Sequence, residues 1–165
     1  MASADTALTD SIPNTSPWHP KLRQIYDRWR AMTPEDRLPG RQHLDPVQMG
    51  NLLPCICLLD IQREPFRVRF RLAGTNFRYA LHREITGAWI DEVYADSPYC
   101  SDVIERYKGV AEKRLPSWRR GKPLLMVDAA FSEVESLVLP LARDGVTVDM
   151  LIMAAVYYRR DGTEF

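Results

Sequence analysis

The chain has 165 residues, a length that suits one domain able to bury a sizeable core without disulfide or metal staples. Its apolar fraction of 45% and charged fraction of 27% belong to a globular chain and not to a disordered one. Lys and Arg number 22 and Asp and Glu 22, so the basic excess of a dedicated nucleic-acid binder is missing, and three cysteines are too few for a disulfide framework.

The opening "MASADTALTD" holds acidic residues and no basic stretch followed by an apolar run, so it does not read as a signal peptide. No apolar run reaches membrane-spanning length. These features predict a soluble cytoplasmic protein. Residues 1–19 read as a flexible tail, and residues 20–160 as a single domain.

In "HPKLRQIYDRWRAM", Leu22, Ile25, Trp29 and Met32 recur at helical spacing, predicting a helix over 20–32 with Pro20 in its first turn. Thr33 and Pro34 should end it. In "LDPVQMGNLLP", Asp45 can cap a short helix that begins at Pro46, with Val47, Leu52 and Leu53 turned inward. "CICLLDI" (55–61) is apolar on both parities apart from Asp60 and suits a central strand. "FRVRFRL" (66–72) alternates and suits a second strand in an antiparallel hairpin.

Residues 73–99 read as short helical turns and loops. Ser97 and Pro98 should open a longer helix over 98–114, with Val103, Tyr107 and Val110 along one stripe. Three strands should follow: "KPLLMVDAAF", then "EVESLVLPLA" with a bulge or an unpaired N–H expected at Pro140, then "VTVDMLIMAAVYY", apolar on both parities and therefore central.

The chemistry-bearing residues are sparse. No serine stands in a G-x-S-x-G turn, and His19, His43 and His82 have no partner in a local motif, so the chain does not read as an enzyme. Cys55 and Cys57 lack the C-x₂-C spacing and second pair of a zinc knuckle and read as small buried hydrophobes. Arg67, Arg69 and Arg71 repeat on one side of a strand, and "KRLPSWRRGK" sets Trp118 among basic residues. Such patterns can bind a single nucleic-acid strand, but an edge strand also needs charges, and the zero net charge argues against nucleic acid.

The order of elements resembles the PAS fold, in which two strands, several helices and three strands build one five-stranded antiparallel sheet. Phrases at Leu38–Pro39–Gly40–Arg41, Leu44–Asp45–Pro46, Leu52–Leu53–Pro54, Leu58–Leu59–Asp60, Arg71–Leu72–Ala73–Gly74–Thr75, Thr86–Gly87 and Leu139–Pro140–Leu141 are similar to those of a short stand-alone bacterial PAS-domain family. The resemblance spans residues 20–158. It implies an α+β domain with helices on one face of the sheet and an additional N-terminal helix. It also implies that strand 66–72 lies at a sheet edge, its apolar parity lining a pocket and its arginines outward.

What such a pocket would hold stays open. Haem sensors of this fold use a histidine on the long helix, and residues 98–114 contain none. Light-reactive flavin sensors need a cysteine in an "NCRFLQ"-like phrase, and "TNFRY" has none. Haem and light-reactive flavin are therefore disfavoured, and no other cofactor is indicated.

The candidate pocket residues for a small organic ligand are Phe70, Leu72, Thr75, Asn76, Phe77, Tyr79, Trp89, Tyr94, Met126 and Met153, with Phe66 and Val68 beside them. Leu22, Ile25 and Trp29 are the candidate partner or dimer face, against the sheet or a second subunit. The family implies a sensory or adaptor module acting through a protein partner or its own dimer. The alternative is an interaction module whose pocket is filled by its own side chains.

Overall fold

A computed structural model of the chain describes residues 13–32, 36–125 and 127–165. Five antiparallel strands form one sheet in the order β2-β1-β5-β4-β3: β1 Ile56–Gln62, β2 Arg67–Ala73, β3 Ser117–Gly121, β4 Phe131–Leu141 and β5 Met150–Arg159. Among the described residues five α-helices accompany them, α1 Pro20–Ala31, α2 Pro46–Met49, α3 Thr75–Leu81, α4 Ile90–Val93 and α5 Cys100–Lys113, with 3-10 turns at Arg41–His43 and Gly50–Cys55. The two stretches apolar on both parities, β1 and β5, lie side by side inside the sheet, because strands covered on both faces must bury both sets of side chains.

Helix α1 lies along the outer face of the sheet against β4. His19 caps it by accepting the Lys21 N–H on Nδ1 at 3.0 Å. Leu22, Ile25 and Trp29 are buried in their own chain, and the Trp29 indole N–H donates to the Pro140 carbonyl at 2.9 Å. These three residues are thus spent on the sheet and are not an open dimer face. The expected stop at Thr33 and Pro34 lies outside the described residues. The Trp29 bond also accounts for Pro140. Its carbonyl points away from β5, pairing with β3 has already stopped at Val138, and no strand requires its missing N–H. Of the bulge or unpaired N–H expected at Pro140, it is thus the second that the pairing fits; the irregular step of β4 lies between Phe131 and Glu133.

Asp45 caps α2 by accepting the Val47 N–H at 2.9 Å. Leu52 is buried, but Val47 is 86% exposed and Leu53 is also exposed; Met49 is the inward residue of that turn. β1 begins at Ile56, since Cys55 closes a tight 3-10 turn and donates its thiol to the Leu52 carbonyl. The segment after β2 approaches this turn closely: a Cβ at Gly74 would collide with the carbonyl oxygens of Leu53 and Pro54.

The long helix starts two residues later than the sequence predicts. Ser97 does not cap it; its hydroxyl accepts the Tyr99 N–H and donates to the Leu124 carbonyl. The strand expected over "KPLLMVDAAF" does not form among the described residues: 122–125 and 127–130 are outside any strand, Phe131 opens β4, and β3 is the preceding "SWRRG". Trp118 and Arg120 find carboxylate partners on β4, Glu135 at 2.9 Å and Glu133 at 2.8 Å, which fixes β3 in register. Leu124, Leu125 and Val127 of the loop become part of a cavity wall.

Candidate functional site: a cavity on the inner face of the sheet

Residues paired across antiparallel strands share a face. Phe70 on β2, Met153, Ala155 and Tyr157 on β5, and Val134 and Ser136 on β4 therefore point to the side covered by α3, α4 and α5. Between them lies a cavity of about 230 Å³. Phe77 enters it from α3, Tyr94 from the turn after α4, and Val103, Arg106 and Tyr107 from α5. Most of the lining is apolar, and its polar groups come from α5, from β3, β4 and β5, and from Tyr94 in the turn after α4.

The central polar group is Arg106. It falls on the inward stripe of α5, three residues after Val103 and four before Val110. Its Nε–H donates to Ser117 Oγ at 2.9 Å and its Nη1 to Ser136 Oγ at 2.9 Å. Nη2 donates to the carbonyls of Ser117 and Ser136 at 2.9 and 3.2 Å. Desolvation lowers its pKa, with the guanidinium of Arg119 acting in the same direction. Burial raises the Tyr94 phenol to about 12, and burial raises Tyr107 and Tyr157 as well. All three are neutral hydroxyl donors at physiological pH.

Of the residues expected at a pocket, Phe70, Phe77, Tyr94 and Met153 line this cavity. Leu72 does not. Leu58 pairs with Leu72 but Leu59 pairs with Phe70, so Arg71 is the extra residue of a β-bulge and Leu72 is turned to the outer face, 52% exposed. Thr75 goes with it, and Asn76 is half-buried away from the cavity. Tyr79 is 65% exposed and packs edge-on against Phe165. Trp89 stacks beneath Arg67, 4.0 Å from the ring centroid, at the free side of β2. Phe66 lies in the turn before β2, and Met126 lies outside the described residues.

Sequence reasoning missed Arg106, Arg119, Ser136, Tyr107 and Tyr157 as cavity residues. The signal for Arg106 was present: an arginine on the apolar stripe of an amphipathic helix.

The outer face is organised differently. Glu135 is fully buried there and accepts three bonds: from the His19 backbone N–H at 2.6 Å, the Trp118 indole at 2.9 Å and the Tyr158 hydroxyl at 2.8 Å. Trp18 stacks on Trp118, so the start of α1 is tied to β3, β4 and β5 at one point. Beyond α1, an open apolar cleft of about 320 Å³ lies over β1 and β2, walled by Met49, Leu53, Ile56, Leu58 and Leu72.

The three β2 arginines are tied to carboxylates: Arg67 to Asp91 at 2.9 Å, and Arg69 and Arg71 to Asp60 at 3.2 and 3.3 Å. The hydrogen bond from Arg67 also holds the Asp91 carboxyl below its usual range. The free side of β2 is partly covered by backbone bonds, from Gly87 N to Phe70 O and from Phe70 N to Ala88 O.

The remaining chemistry-bearing residues fall at scattered places. His82 contacts Asp128 at 2.6 Å on the surface, His19 contacts Glu164 at 3.0 Å, and His43 accepts the Gly40 N–H. Cys55 and Cys57 are buried, and burial raises the Cys55 thiol to about 11 and raises Cys57 too. Among the described residues, no group of three His, Cys, Asp or Glu side chains is placed to hold a metal. No described helix is long and apolar enough to cross a membrane.

No curated protein and no solved structure matches the chain. A family model does: PAS_5, described as a PAS domain, matches residues 18–153, from the start of the Glu135-anchored segment to the middle of β5. With the strand order, the helix-covered inner face and this match over most of its length, the chain belongs to the PAS-domain family.

Proposed function

We propose that this chain is a sensory module of bacterial cytoplasmic signalling, without catalytic activity of its own, whose inner cavity takes a small organic ligand. The observation that carries this reading is the cavity itself. Nothing in the fold requires a hole of about 230 Å³ beneath the sheet, and interiors normally close such voids. The output passes to a protein partner or a second copy. A ligand drives it by binding two arrangements of the domain with different affinity, which shifts their populations. The element best placed to respond is α1, joined to the sheet through Glu135 on β4, while Ser136, the next residue, faces the cavity and bonds Arg106.

The second reading is a protein-interaction module that senses no ligand. The open apolar cleft over β1 and β2 supports it. Native mass spectrometry of the purified chain separates the two. The first reading expects an added mass of a small molecule that is lost on denaturation. A bare chain mass accompanied by a concentration-dependent complex would replace it with the second.

A further inference from the structure

Arg106 carries a charge into the protein interior without a carboxylate to answer it. Its four hydrogen bonds all go to neutral oxygens, two hydroxyls and two carbonyls. A guanidinium has five N–H groups, so one on Nη1 is left over. A second cation, Arg119 on β3, lines the same cavity, and it donates to the Lys122 carbonyl at 2.6 Å, also a neutral oxygen. One acidic residue reaches the lining, Asp102, one turn before Arg106 on α5. It is exposed and makes no ion pair with either arginine.

Three phenols complete the wall. The hydroxyls of Tyr94, Tyr107 and Tyr157 make no hydrogen bond to any described residue. Yet no fully enclosed side-chain oxygen or nitrogen is left unpaired. Each of these hydroxyls therefore keeps some accessible surface, and all three residues line the cavity. Buried polar groups are normally satisfied, and a cation held partly out of water, as Arg106 is, gains from a counter-charge.

We infer that the cavity takes a small organic acid, whose carboxylate lies against Arg106 and Arg119 and accepts hydrogen bonds from the surrounding phenols. This rests on the ligand-binding reading above and specifies its chemistry. The remaining lining, including Phe70, Phe77 and Ile85, is apolar and receives the body of the molecule. The volume equals that of about eight liquid waters, which suits a molecule the size of benzoate or hexanoate. A guanidinium only donates and a carboxylate only accepts, so the two are matched where an amine would set donors and like charges face to face and a neutral amide would leave the cations without a counter-charge.

The test is calorimetric titration of the full chain with matched pairs: benzoate and benzamide, phenylacetate and phenylacetamide, hexanoate and hexanamide. At least one acid should bind tenfold or more tightly than its own amide. Arg119→Gln, at a partly exposed strand position, should reduce that preference to threefold or less. Asp102→Asn should tighten acid binding severalfold by removing the one opposing charge. Arg106→Lys, if it folds by circular dichroism, should weaken the acid more than the amide, and if it does not fold Arg119→Gln carries the same comparison.

Amides binding as tightly as acids in every pair that binds would overturn the assignment of an acid while leaving a ligand-binding cavity intact. Failure of all six compounds to bind, together with a bare mass for the purified chain, would overturn both.

Discussion

The two faces of the sheet solve the same problem in opposite ways. Each buries charged and hydroxyl-bearing side chains beneath helices. On the outer face they answer one another: Glu135 collects three donors from three separate segments, and Trp29 finds the one carbonyl that Pro140 leaves facing outward. On the inner face Arg106 meets neutral oxygens alone, and the hydroxyls of three cavity-lining tyrosines bond to no described residue. A satisfied buried network stiffens a structure, whereas an incomplete one is a place where something else can bind. On the proposed reading the outer face serves as anchor and the inner face as receptor, with adjacent residues of β4, Glu135 and Ser136, reaching one each.

Alkaline pH should expose this contrast with the largest effect. The phenols of Tyr94, Tyr107 and Tyr157 have pKa values raised by burial, whereas a tyrosine in the unfolded chain titrates near 10. A folded-state pKa raised above the unfolded one contributes stability that is complete below about pH 10 and lost as pH rises toward the folded value. Each such group removes about 1.4 kcal/mol per pH unit in that window, or about 4 kcal/mol per unit for the three inner phenols together. Urea unfolding followed from pH 9 to 11.5 should show that slope, with Tyr158 on the outer face adding to it in the same direction. A flat profile would mean that the inner phenols are hydrated in the folded state.

Glu135→Leu probes the anchor. Removing the carboxylate leaves the His19 N–H, the Trp118 indole and the Tyr158 hydroxyl unpaired in an apolar setting, a loss of about 3–4 kcal/mol. Denaturant unfolding measures it, and the fluorescence of Trp18 and Trp118 should report release of their stacked pair. A loss below about 1 kcal/mol would show that the outer network closes equally well without its centre.

Much of this division was legible in the sequence, and what was not has identifiable causes. The central strands stood out because Ile56–Leu59 and Leu151–Val156 are apolar on both parities, a pattern that burial on two faces demands. α1 stood out through its helical spacing, but spacing alone does not distinguish a face packed on its own sheet from one offered to a partner. β3 was hidden because "SWRRG" reads as a basic cluster until Glu133 and Glu135 are seen opposite it, and the more apolar "KPLLMV" drew the assignment instead. Leu72 was misplaced because a bulge belongs to the pairing of two strands and leaves no mark in the alternation of one. Glu135 was overlooked although it shares parity with Leu137, Leu139 and Leu141, where a carboxylate is out of place unless it has partners.

The same substitution made once on each face gives the finest comparison. Tyr158→Phe deletes a hydroxyl that donates to a buried carboxylate at 2.8 Å, and hydrogen bonds to charged groups are worth roughly 1.5–3 kcal/mol. The expected loss is about 2 kcal/mol. Tyr107→Phe deletes a hydroxyl of similar burial that has no partner among the described residues, so no native hydrogen bond is lost and the change should fall within about 0.5 kcal/mol, of either sign. Chemical denaturation at pH 7 decides between them. Equal losses at the two positions would show that the inner hydroxyl is satisfied within the protein after all, and the distinction between an anchored face and a receptive one would fail at the atom where it is most sharply stated.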